Sequence, residues 1–153
     1  GGEADVEVFL EVAAEKTPQF LAVQRYLAGS DYLYTTNPKA EAQRLKSKGY
    51  QYLGIAFQLF APGTPGTTEF YRWFNPTIGD LYYSFEPKGD KPLPGYLYEG
   101  PIGNIATSRL SGTRELYRWF NPTKGTHFYT TNQTGEGIAK KGYRFDGIAG
   151  FVH

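Results

Sequence analysis

The chain has 153 residues, enough for one ordinary hydrophobic core, and a formal net charge of +1, which leaves no basic footprint for nucleic acid. Aromatic residues make up 17% of it, with 13 Tyr and 11 Phe, Gly and Pro are abundant, and Cys is absent; this points away from a helical bundle and excludes disulfide and thiolate chemistry. No apolar run reaches about 18 residues, so no membrane-spanning helix is expected.

In chain order, Val6–Val12 (VEVFLEV) reads as a strand with the character of a later segment, Ile55–Phe60. Paired with the C-terminal part of the chain, it would close a ring and hide two sheet edges. Next comes a first unit, about 14–67. It contains Gln24-Arg25-Tyr26, which stands where Arg-Trp-Phe stands in the later units, then Asp31-Tyr-Leu-Tyr-Thr-Thr-Asn37, then Gly49-Tyr-Gln-Tyr-Leu-Gly-Ile-Ala56. The Lys-rich stretch Lys39–Lys48 between them reads as a short helix with a solvated face. Asn37 is its N-cap, Pro38 its first residue, and Gly49 lies past its end.

The second unit, about 68–113, contains Tyr71–Thr77 (YRWFNPT), and the third, about 114–153, repeats that segment identically at Tyr117–Thr123. A tandem repeat of three units that share one core follows. Glu69–Asn75 and Glu115–Asn121 read as strands, with Tyr71, Trp73 and Asn75 on one face and Phe70, Arg72 and Phe74 on the other. Asn-Pro-Thr-x-Gly then signals a turn into a second strand, Leu81–Phe85 or His127–Thr131. The third strand, Tyr143–Val152 in the last unit, has a bend or bulge signal at Gly147. Gly135–Lys141 suggests a second short helix, whereas Pro87, Pro92 and Pro94 exclude one at the matching place in the second unit. The expected fold is all-β: a single domain over 1–153 with an N-terminal closing strand at about 6–12. Its units form a three-fold pseudo-symmetric closed array, propeller-like with three strands per unit or trefoil-like if the third strand splits at Gly100 or Gly147.

The combination YRWFNPTxG, then (H/L)(F/Y)Y(T/S), then GYxxxGxxG resembles a family of aromatic-rich repeat domains of uncharacterised function, across roughly residues 20–153. The third unit keeps His127, Phe128, Tyr129, Thr130 and Thr131, with Thr126 where the family has Asp. The second keeps Asp80 but has Leu81 at the His position; the first keeps Asp31 and has Tyr32 there. At the family's Glu stand Glu99, Asp146 and, in the first unit, Leu53. The resemblance implies bacterial or fungal proteins that are secreted or held at the cell surface. It carries no activity with it.

The residues themselves favour binding over catalysis. Neither a Ser–His or Cys–His pair nor a metal-ligand spacing is visible, and no phosphate loop. A glycosidase pair, Asp80 with Glu99, is the one enzymatic option left. No cofactor or metal is expected. Trp and Tyr faces stack on sugar rings while Asn, acids and Arg satisfy hydroxyls. The candidate ligand-binding set is therefore Arg72, Trp73, Asn75, Asp80 and Glu99 in the second unit. In the third it is Arg118, Trp119, Asn121, His127 and Asp146. The competing reading puts both Trp in the core and both Arg in structural clamps with Glu99 and Asp146. The expectation is a carbohydrate-binding protein, a lectin or wall-glycan module, with glycans as partners. The alternative is a secreted protein-interaction or structural module. Asn132-Gln-Thr134 is a glycan acceptor sequence if the chain passes a eukaryotic secretory route.

Overall fold

The structure is a computed structural model and describes residues 19–87 and 93–153. The strand expected at Val6–Val12 lies outside the described residues. Those described are predominantly β, with nine strands: β1 (Phe20–Ala28), β2 (Asp31–Thr35), β3 (Gln51–Phe60), β4 (Thr67–Phe74), β5 (Leu81–Ser84), β6 (Leu97–Ala106), β7 (Arg114–Asn121), β8 (Thr126–Thr130) and β9 (Arg144–Val152).

All described ladders are antiparallel and belong to one sheet. Each unit contributes three strands with its first in the middle: β2-β1-β3, β5-β4-β6 and β8-β7-β9. The units meet at the ends of their third strands, where Phe60 lies opposite Asn104 and Ala106 opposite Phe151. Among the described residues the pairing path does not return on itself, so their sheet is open, where the sequence anticipated a closed ring. One further backbone bond, His153 N to Gln58 O at 3.0 Å, ties the end of the chain to β3.

β6 and β9 run unbroken through Gly100 and Gly147, so the third strand is not split. It is bulged instead: the register slips near Gly54, Gly100 and Gly147, whose φ values of 102°, 93° and 108° suit glycine alone. Strand alternation then sends Phe70 and Arg72 inward and Tyr71 and Trp73 outward against Tyr98. The core joins Val23, Leu33, Leu59, Phe70, Ile105, Leu116 and Val152 from all three units. Sharing one core removes the need for each small unit to bury its own.

The helix α1 (Ala42–Ser47) starts later than its sequence suggests. Pro38 and Lys39 accept from Glu41 N and Ala42 N in tight turns, so Glu41, not Asn37, stands at the N-cap position. Asn37 still accepts from Ala40 N at 3.3 Å, a cap on that turn. Gly49 (φ 71°) ends the helix as its sequence predicts. Gly135–Lys141 is a 3₁₀ segment kinked at Glu136, whose φ of 56° is rare for a residue with a side chain.

Candidate functional site

The innermost strands bring Tyr34, Tyr83 and Tyr129 together. Tyr34 N donates to the Tyr83 hydroxyl (2.7 Å), Tyr83 N to that of Tyr129 (2.8 Å), and Tyr129 N to that of Tyr34 (2.9 Å). Each hydroxyl donates in turn to a carbonyl: Tyr83 to Tyr34, Tyr129 to Tyr83, and Tyr34 to Tyr129, at 2.9, 3.1 and 2.9 Å. The rings meet edge to face at 5.1–5.6 Å. Burial pushes the Tyr34 phenol up to about 12, and it raises those of Tyr83 and Tyr129 as well.

An arginine from each unit braces this centre. Arg25, Arg72 and Arg118 stand opposite Tyr34, Tyr83 and Tyr129 in their own hairpins. Each reaches a tyrosine carbonyl of a neighbouring unit: Arg25 to Tyr129 (2.7 Å), Arg72 to Tyr34 (3.1 Å), Arg118 to Tyr83 (2.7 Å). Alignment by sequence alone puts Gln24 at the arginine station; the pairing shifts it by one, to Arg25. Arg25 pairs with Glu136 at 3.0 Å, and Arg72 pairs with Glu41 and, at 2.9 Å, with Glu99. Burial alone would lower the Arg72 pKa; Tyr83, Glu41 and Glu99 more than offset that, and it rises. Burial likewise works to raise Glu41, but Arg72 holds it below the usual carboxylate range.

The other candidates divide between turns, an interior pair and the outer face. Asn75 Oδ1 accepts from Thr77 N and Ile78 N (3.0 and 3.4 Å), and Asn121 Oδ1 from Thr123 N and Lys124 N (3.0 and 3.1 Å). Both side chains therefore shape the Asn-Pro turn. Asp80, 1% exposed, accepts from His127 N (2.8 Å), from the Tyr96 hydroxyl (2.6 Å) and, at Oδ2, from His127 Nδ1 (2.6 Å). His127 Nε2 is buried without a hydrogen-bond partner, 3.9 Å from Asp146 Oδ2. Glu99 also pairs with Arg44 at 2.8 Å, so Asp80 and Glu99 serve different partners. Among the described residues no group of His, Cys, Asp or Glu is placed to hold a metal ion. Asn132 is exposed, its Oδ1 accepting from Thr134 N at 2.9 Å.

Trp73 is 6% exposed, covered in part by Tyr71 and Tyr98 at 5.9 and 5.5 Å. Trp119 is half-buried under the 3₁₀ segment: a β-carbon on Gly135 would lie 2.7 Å from its Cε2. The rings open to solvent are the cross-strand neighbours of this layer, Tyr98 (56%) and Phe145 (54%), with Tyr52 (54%) beside Tyr26 in the first unit. Sequence reasoning missed these rings, although each lies two residues after the Tyr of a Gly-Tyr pair. It missed Glu41 and Glu136 too, each four residues after the Asn of Thr-Thr-Asn.

An aromatic β-protein whose motif residues mostly hold the interior, with open rings on the outer face, is what fold and site define. The chain belongs to the family described as Domain of unknown function (DUF5648), whose model matches residues 24–153. Neither a curated protein nor a solved structure matches it.

Proposed function

We propose that this is a carbohydrate-binding protein without catalysis, acting at a secreted or cell-surface location. Its contact surface is the outward aromatic strip of the second and third units. The observation that carries this reading is the open ring above a covered one: Tyr98 over Trp73 and Tyr71, and Phe145 against Trp119 and Tyr117. Rigid rings of this kind offer flat area to the C–H face of a sugar at low entropic cost. Stacking passes from Trp73 and Trp119, which floor the strips, to Tyr98 and Phe145. Arg72, Asn75, Asp80, Arg118, Asn121 and His127 support the scaffold, and Glu99 and Asp146 flank the strips. Two shallow sites on one rigid body gain avidity on a glycan-coated surface.

The units are proposed to form a propeller-like array about a pseudo-three-fold axis through the tyrosine centre. The cyclic hydrogen bonds, the three arginines and the His153–Gln58 bond support this. A glycan array tests the functional reading. The double variant Tyr98→Ala, Phe145→Ala is expected to lose retention at least about tenfold with an unchanged melt. Parent-like binding by that variant overturns the reading. The second reading, a protein-interaction module, draws on Leu53 and Ile55, aliphatic side chains 48% and 63% exposed beside Tyr52.

A further inference from the structure

A cleft of about 440 Å³ lies where the first and second units meet, lined by Leu21, Thr36, Asn37, Glu69, Pro101 and Asn104 among others. It opens at the end of the second unit's aromatic strip, since Pro101 stands opposite Tyr71 and Asn104 opposite Glu69. Its hydrogen-bonding capacity leans toward acceptors. Thr36 Oγ1 spends its proton on Ile102 O (2.5 Å), and Asn104 Nδ2 spends one of its two on Thr67 Oγ1 (3.1 Å), leaving Asn104 Oδ1 as an acceptor. Asn37 Oδ1 is taken by Ala40 N, leaving its Nδ2 as a donor. Glu69 is exposed and has no ion-pair partner among the described residues. Among the described residues it is the one ionisable side chain in the lining. The cleft is therefore rich in acceptors and singly negative, which disfavours phosphate, sulfate or uronate and matches a donor-rich cation.

Two comparisons within the molecule sharpen this. Another cleft, about 300 Å³, is built from the matching stretch of β3, Ile55 to Gln58, with Thr131 in the place of Thr36. There Ala22 stands opposite Gln58 as Glu69 stands opposite Asn104, and Arg114 and His153 line the cleft. In the third unit the matching acid, Glu115, pairs with Arg109. Among the described residues, a carboxylate at this station without an ion-pair partner belongs to the second unit alone.

We infer that this cleft binds the protonated amine of an amino sugar, with Glu69 as the charge partner. Asn37 and Asn104 hold ring hydroxyls, and the Tyr71–Tyr98 strip carries the neighbouring sugar. The sugar part of this inference rests on the carbohydrate reading; the charge preference does not.

The test is an amide chemical-shift titration of the whole chain with a disaccharide of glucosamine and with one of glucose, each long enough to occupy the cleft and the neighbouring strip. The parent, Glu69→Gln and Tyr98→Ala are compared; both changes are at exposed positions. The glucosamine disaccharide is expected to bind about tenfold more tightly than the glucose one, the scale of one charge-assisted hydrogen bond, with shifts centred on Glu69 and Asn104. Glu69→Gln should erase that difference, and Tyr98→Ala should weaken both sugars while keeping it. Sugar binding without an amine preference, or a preference that survives Glu69→Gln, overturns the inference and leaves the carbohydrate reading standing. Shifts at Glu69 with the glucosamine disaccharide that vanish in Glu69→Gln, with no binding of the glucose one and no effect of Tyr98→Ala, support the cleft and count against the strips.

Discussion

At the centre of the molecule the same side chains recur in every unit: Tyr34, Tyr83 and Tyr129, braced by Arg25, Arg72 and Arg118. On the outward face the matched positions differ: Tyr52, Tyr98 and Phe145 at one station, Ala22, Glu69 and Glu115 at another. The difference follows from how each set is bonded. Every central hydroxyl accepts from one backbone N–H and donates to one backbone carbonyl, so losing it strands a buried N–H and leaves the carbonyl to its arginine alone. The outward rings touch one or two neighbours and face water. Their identities can drift without consequence for folding, and that is where selectivity between units has room to arise.

The sharpest way to break the centre is alkali. A tyrosine whose folded pKa lies above its ordinary value of 10.0 adds stability that is full below about pH 10 and is lost as pH rises toward the folded pKa. Each of the three should contribute a loss of about 1.4 kcal/mol per pH unit in that range. Urea titrations at several alkaline pH values should show that slope fall by about one site's share in Tyr34→Phe; Tyr50, Tyr96 and Tyr143, also raised by burial, add to the slope of the parent.

Arg72→Ala comes next. It leaves Glu41 partly buried without its main cation and takes one of two donors from the Tyr34 carbonyl, so a loss of about 3–5 kcal/mol is expected in urea unfolding. The outward counterpart, Tyr98→Ala, should change stability by less than about 0.5 kcal/mol. A large destabilisation there would mean that the strip is part of the core.

A smaller effect separates centre from rim by pH. Burial and the charge of Asp80 push Asp31 up to about 6 from its ordinary 3.8. The folded state then holds that proton more tightly than the unfolded chain. Stability contributed by Asp31 is lost as pH rises between those values. Asp31→Asn should melt higher than the parent at about pH 8, and the gain should fade toward about pH 4. A gain independent of pH would point to packing instead of charge. The smallest expected effect is Glu69→Gln, which should leave the melting curve in place and alter only ligand preference.

Local rules account for what is legible along the chain. The repeated Tyr-Arg-Trp-Phe-Asn-Pro-Thr segment, the turn after each Asn-Pro and the glycine bulge of each third strand all depend on residues near in sequence. So do the missing proton and ring of the prolines and the stop at Gly49. Strand alternation likewise separates Arg72 from Trp73 before any partner is known. The start of α1 is harder to read, because Asn37-Pro38 caps a turn as readily as a helix and Glu41 is held by Arg72 from another unit.

The sequence by itself determined three similar β units, their strand order in the chain and the placing of Arg and Trp on opposite faces of a strand in each of the last two. Only the tertiary structure decided who meets whom. Glu41 and Glu136 reach arginines 31 and 111 residues away, Asp80 receives His127, and Tyr34, Tyr83 and Tyr129 close on one another. Exposure was decided in the same way: nothing in the repeated segment says that Trp73 is covered while Tyr98 is open. Short-range rules set where a side chain points along its own strand. Burial and charge pairing depend on what another strand, of the same unit or of a neighbour, brings alongside, and that is a property of the assembled chain.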